Sequence, residues 1–182
     1  KGTIETLLTV PVSRLNLLIG KMLTIAIVGL SASIMIIIGI LFSLKFIPEI
    51  PSDFLKTIND MLDLKFIIML FIMLIPLTVF FSGLLISLVI RAKNFKEAQS
   101  ITTPVNIVIF IPAIFATIPG IELDWQTVWI PILNLALATK EIMAGTIVIG
   151  QYLCVVTCLI VYAAIGILIS YKQFSNENVV LK

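Results

Sequence analysis

The sequence predicts an all-α integral membrane protein with four transmembrane helices, a re-entrant or interfacial helical hairpin and an N-terminal amphipathic helix. Three observations carry that expectation. Apolar residues make up 60% of the 182 residues and charged residues 12%, against about half and a quarter in soluble domains. The runs 22–44, 66–90, 101–121 and 146–170 hold no charge, and at about 1.5 Å per residue each is long enough for a hydrocarbon core of about 30 Å. The charges collect between these runs, where headgroups and water solvate them.

The same composition excludes other classes. A formal net charge of +2, with no dense basic cluster among aromatics, gives no footing for nucleic acid. The absence of His removes imidazole from every catalytic or metal-binding scheme. Cys154 and Cys158 lie four apart on one helix face and read as small packing residues, because a thiolate in hydrocarbon is costly. Gly20-Lys21 is followed by Met22 and lacks the upstream glycine of a phosphate-cradling loop. No nucleotide, metal or other cofactor is expected on this chain.

Segment 1–21 is too polar to cross a bilayer and too apolar to be a solvated tail. Thr3 to Val10 makes about two helical turns with Ile4, Leu7 and Leu8 on one face, a small helix suited to a membrane surface. Pro11 stops it. Ser13 then caps a second helix whose Leu15, Leu17, Leu18 and Ile19 lead toward lipid, with Arg14 and Lys21 at the headgroups. In the first span, 22–44, Gly29, Ser31, Ala32, Ser33 and Gly39 are small residues that let helix backbones approach. The connection 45–65 mixes Glu49, Asp53, Asp60 and Asp63 with lysines, a solvated surface rather than a cation site, and its Leu55, Ile58, Met61 and Leu62 suit a surface helix.

The second span, 66–90, carries Pro76 near its middle, which removes one backbone hydrogen bond and favours a kink. Residues 91–100 read as a short charged turn. The third run, 101–121, is interrupted by Pro104, Pro112 and Pro119 and should end near Pro119-Gly120, with Glu122 and Asp124 capping its outer end. Residues 125–138 are too few to span and contain Pro131 and Asn134, which suits a re-entrant or interfacial element. Pro131 and Asn134 are candidates for its turn or for a substrate path, with backbone satisfaction the favoured role for Asn134. Trp125 and Trp129 suit the headgroup level, and Lys140, Glu141 and Gly145 read as an exposed return. The last span, 146–170, carries Gln151 near its outer end and packing positions at Ala163, Ala164, Gly166 and Ser170.

Placing Lys1 in the cytoplasm puts Lys1, Arg14, Lys21, Arg91, Lys93, Lys96, Lys172 and Lys182 inside, most of the 12 cations. Of the acids only Glu5, Glu97 and Glu177 join them, so the Lys and Arg asymmetry favours this orientation. Both the N-terminal segment and the C-terminal tail are then cytoplasmic, in a plasma (inner) membrane protein that crosses several times.

The string from Gly2 to Arg14, Gly-Thr-Ile-Glu-Thr-Leu-Leu-Thr-Val-Pro-Val-Ser-Arg, resembles the cytoplasmic coupling segment of type-2 ABC exporter permeases, particularly their sodium-exporting branch. Phe95-Lys96-Glu97-Ala98-Gln99 matches a second cytoplasmic motif of that family, in which Arg-Ser normally precedes the Phe; here Lys93-Asn94 stand instead. Trp129 to Asn134 is similar to the family's extracellular re-entrant hairpin. The resemblance implies that the chain begins mid-protein, with 1–21 as coupling segment and 22–182 as transmembrane domain. It implies a permease homodimer or heterodimer among membrane lipids, partnered by an ABC ATPase subunit that holds ATP and Mg. Glu5, Thr6, Leu7, Leu8 and Pro11 would contact that subunit, supported by Lys96 and Glu97. The implied activity is export by alternating access, of sodium ion or of an apolar drug, lipid or peptide; a membrane scaffold without a path is the reading from another class.

Overall fold

A computed structural model describes residues 14–43, 46, 63–90 and 92–174. Most of the described residues are helical, with no strand among them. Helix α1 is Arg14–Ser43, α2 Leu64–Val89, α3 Phe95–Phe115, α4 Leu133–Ala144 and α5 Ile149–Phe174, with a 3₁₀ turn at Thr127–Trp129 before α4. Of these, α1, α2, α3 and α5 are long and apolar enough to cross a membrane. The protein is a multi-pass membrane protein, with four such helices among the described residues.

The helix bounds differ from the uncharged runs, and for one physical reason. A helix continues into the headgroup layer for as long as its backbone bonds are made, whatever the side-chain charge. Helix α1 runs unbroken past Lys21, and α3 starts at Phe95 within the stretch expected to be a charged turn. At its far end α3 stops at Phe115, short of Pro119. There the amide of Ala116 turns back to Pro112 and Ile114, and Gly120 takes a positive φ of 87°. Glu122 and Asp124 do not cap this end: the amide of Asp124 donates to Thr127 Oγ1, 2.8 Å away, closing the next turn.

Helices α2 and α5 form the centre of the bundle and run parallel. The Tyr152 hydroxyl donates to the Met69 carbonyl (3.1 Å), the Tyr162 ring lies 5.6 Å from that of Phe80, and Gly166 meets Gly83. These pairs advance together along both chains. At Gly83 an added Cβ would stand 2.5 Å from the Gly166 carbonyl oxygen, so the backbones touch where both residues lack side chains. Such close approach supplies dispersion contact where lipid removes any hydrophobic drive. Met73, Leu77, Val155 and Leu159 extend the contact, and Ala116, Leu123, Val128, Leu133, Leu137 and Ala138 complete one buried core. Helices α1 and α3 present most of their apolar side chains outward, among them Met35 and Phe110.

Several serine and threonine hydroxyls within the long helices bond to their own backbone, whereas the buried Ser170 hydroxyl of α5 has no partner among the described residues. Ser31 donates to Ile27, Ser33 to Gly29, Thr78 to Ile75, Ser82 to Val79 and Thr157 to Leu153. That local bond is the inexpensive way to place a hydroxyl in hydrocarbon.

Candidate functional site

Two constructions carry the residues singled out by the sequence. The first is the corner between α2 and α3. Asn94 has an extended backbone (φ −150°, ψ 169°) and its Oδ1 accepts from the Glu97 amide at 2.8 Å. The Glu97 carboxylate reaches back and accepts from the Lys93 amide, also at 2.8 Å. These reciprocal bonds satisfy amides that a helix start leaves open, and the carboxylate lies at the positive end of the helix dipole. Phe95, 84% exposed, and Lys96 stand out on the corner, whereas Glu97 is partly buried by its own capping bond. The contact residues Glu5, Thr6, Leu7, Leu8 and Pro11 lie outside the described residues.

The second construction is a hairpin made by residues 121–145 beside α5. Its open end is closed at Leu123, whose amide donates to Glu141 Oε1 (2.9 Å) and whose carbonyl accepts from Gln151 Nε2 (2.7 Å). Lys140 Nζ adds a longer bond to the Ile121 carbonyl at 3.4 Å. Its tip lies at Trp129, whose carbonyl accepts from the Tyr162 hydroxyl at 2.6 Å. From Gln151 to Tyr162 the α5 axis advances about 16 Å at 1.5 Å per residue, so the tip reaches about the middle of that helix. Helix α4, of 12 residues, supplies a return of about 18 Å. Lys140 and Glu141 sit in α4; Lys140 and Gly145 are exposed, as expected of the return, Glu141 is partly buried, and Gly145 ends the helix with a left-handed φ of 70°. The amides of Gly145 and Thr146 cap the last turn by bonding Ile142 and Glu141.

At the tip the backbone is not α-helical, and side chains pair two of its carbonyls. Asn134 is fully buried; its Nδ2 donates to the Val128 carbonyl (2.8 Å) and its Oδ1 accepts from the Leu135 amide (2.7 Å). Pro131 beside it brings no amide to satisfy. Ile132 has φ 74° and ψ −52°, a conformation a β-branched side chain rarely takes. Both polar atoms of Asn134 are thus spent on the turn, the backbone role that the sequence favours for it. Sequence reasoning missed Tyr162, and it placed Glu141 on the return without its bond to the Leu123 amide. The available signal for Tyr162 was a phenol in the middle of an uncharged span, which needs a hydrogen-bond partner.

The chain is 27% identical over 186 residues to the protein described as ABC transporter permease protein NatB of Bacillus subtilis (strain 168), with 100% of this chain covered. This chain resembles an ABC transporter permease. It spans about half the length of that curated relative, 47%. No family model matches, and no solved structure does. The permease likeness runs through the corner and the hairpin alike, because it takes in every described element. It also agrees with the four long apolar helices among the described residues.

Proposed function

We propose that this chain forms part of the transmembrane permease subunit of an ATP-driven exporter, with ATP hydrolysed on a separate ABC ATPase subunit. The similarity to a permease along the whole chain carries the reading. In it, Glu5, Thr6, Leu7, Leu8 and Pro11 contact the ATPase, and Lys96 on the capped corner adds a second contact. Glu97 holds that corner rigid. Closure of two ATPase subunits pushes both places, and the spans of a permease dimer tilt to open a path outward.

The hairpin 121–145 is read as re-entrant from the outer face. Parallel α2 and α5 support this, because the segment joining α3 to α5 must then begin and end on one side of the membrane. The substrate reading is sodium ion. Ser31 and Ser33 donate their hydroxyl protons to the Ile27 and Gly29 carbonyls of their own helix, so they offer only lone pairs to a ligand, which suits a cation and not an anion. The absence of ionisable side chains from the middle of the described spans favours the second reading, an apolar drug, lipid or peptide.

The test is co-expression of the full-length permease with an ABC ATPase, followed by reconstitution into proteoliposomes. Sodium-stimulated ATPase activity with measured sodium movement is the expected result. Stimulation by apolar compounds alone moves the substrate. A Leu7→Asp, Leu8→Asp variant should lose the ATPase while its spans stay folded; full co-purification of that variant would sink the assigned contact.

A further inference from the structure

We propose that Tyr162 is a positioning residue: its hydroxyl, together with the Asn134 amide, latches the hairpin tip at mid-depth and ties it to the α2–α5 pair. The proposal rests on the re-entrant reading of the hairpin. Its starting point is the backbone chemistry of the tip. In the 3₁₀ turn that precedes α4 the carbonyls of Val128 and Trp129 are satisfied by side chains, one by Asn134 Nδ2 and the other by the Tyr162 hydroxyl. At a membrane surface water would pair both. In hydrocarbon nothing else does, and an unpaired carbonyl there is expensive. Two dedicated donors therefore mark a tip built for depth.

The latch also joins three elements through one side chain. The Tyr162 ring packs on Phe80 of α2 at 5.6 Å while its hydroxyl holds the hairpin, and its backbone belongs to α5. Ile132, three residues past Trp129, holds its positive φ only because its surroundings fix it, with Asn134 fully buried two residues on. The tip is over-determined in geometry, so it travels with the α2–α5 pair as one body. A tilt of that pair carries the hairpin with it, and rupture of the latch frees the tip to leave its depth.

The experiment reads the depth of Trp129 in the full-length protein in phosphatidylcholine vesicles brominated either near the headgroup or near the chain ends. Subtracting the spectrum of Trp129→Phe isolates the Trp129 emission, and subtracting that of Trp125→Phe supplies a reference at the hairpin's open end. In the wild type, deep bromines should quench Trp129 more than Trp125. Tyr162→Phe should shift Trp129 toward the shallow label, with the deep-to-shallow quenching ratio falling about twofold or more while Trp125 stays unchanged. A shallow Trp129 in the wild type overturns the re-entrant reading itself. A Trp129 that stays deep in Tyr162→Phe overturns the latch and leaves that reading standing. Should Tyr162→Phe fail to fold, a ¹³C label on the wild-type Trp129 carbonyl reads the bond: in a wild type whose Trp129 is quenched from the deep bromines, away from water, the infrared band of a hydrogen-bonded carbonyl supports the latch, and that of a free carbonyl overturns it.

Discussion

The contact between Gly83 and Gly166 makes the firmest quantitative prediction. In Gly83→Ala the new methyl would stand 2.5 Å from the Gly166 carbonyl oxygen and 2.7 Å from its carbon. Both atoms are backbone, so no rotamer relieves the clash; ordinary contact is restored only if α2 and α5 part by about 0.9 Å. A gap of that size forfeits about a quarter to a half of each dispersion contact along the seam. Overpacking of this kind costs about 1–3 kcal/mol, and loss of the Tyr152–Met69 bond adds about 1. The better helix propensity of Ala returns about 1 kcal/mol, leaving a net loss of about 2 kcal/mol. For a chain of this size that is a fall of about 4–8 °C in Tm. Gly166→Ala, whose methyl would lie 2.9 Å from the Phe80 carbonyl oxygen, should fall by less. At Gly39 nothing lies within 4 Å, so Gly39→Ala should be neutral or stabilising. Cys158, buried in the core, reports unfolding to a thiol-reactive dye. Equal melting of Gly83→Ala and Gly39→Ala would refute the helix crossing.

Further outcomes follow from the hairpin and its neighbours. Glu141→Ala leaves the Leu123 amide without its partner and should cost about 1–2 kcal/mol in the same melt, while Glu141→Gln keeps an acceptor and should cost less. Gln151→Leu releases the Leu123 carbonyl, and because both bonds hold one residue, the double variant with Glu141→Ala should depart from additivity by about 0.5 kcal/mol or more. Tyr152→Phe removes one bond to a carbonyl within α2 and should cost no more than about 1 kcal/mol, with the melt of the single variant as its check.

The crossings were legible because lipid demands long uncharged runs, and the four long helices include most of 22–44, 66–90, 101–121 and 146–170. The ends of the helices were not legible from charge. Lys96 and Glu97 are polar, yet they form the first turn of α3, because capping at Asn94 rather than hydropathy decides where a helix starts. Trp125 to Ala138 was recognisable as too short to span. That Lys140 and Glu141 continue as helix was hidden, since one amphipathic turn looks the same in a loop. The partner of Gln151 lies at Leu123 and that of Tyr162 at Trp129, both far away in sequence. No local pattern records such pairs.

At the corner, Lys93-Asn94 stand where the resemblance in the sequence implies Arg-Ser. A guanidinium and an ammonium are not interchangeable in bidentate contacts. The second position behaves differently, because Asn and Ser are both good N-caps and each offers an oxygen to the third amide of the helix. Asn94 does this at 2.8 Å, and Glu97 returns a bond to Lys93. Asn94→Ser should therefore leave the start of α3 intact, and Asn94→Ala should weaken it by about 1 kcal/mol. Hydrogen exchange at the amides from Lys93 to Ala98 measures the difference, about fivefold faster opening in Asn94→Ala and under twofold change in Asn94→Ser. Equal exchange in the two variants would mean that the cap does not hold the corner. A frayed corner transmits force poorly: in the permease reading, coupled ATPase activity should fall in Asn94→Ala and survive in Asn94→Ser, tying the motif to stiffness rather than to a particular charge.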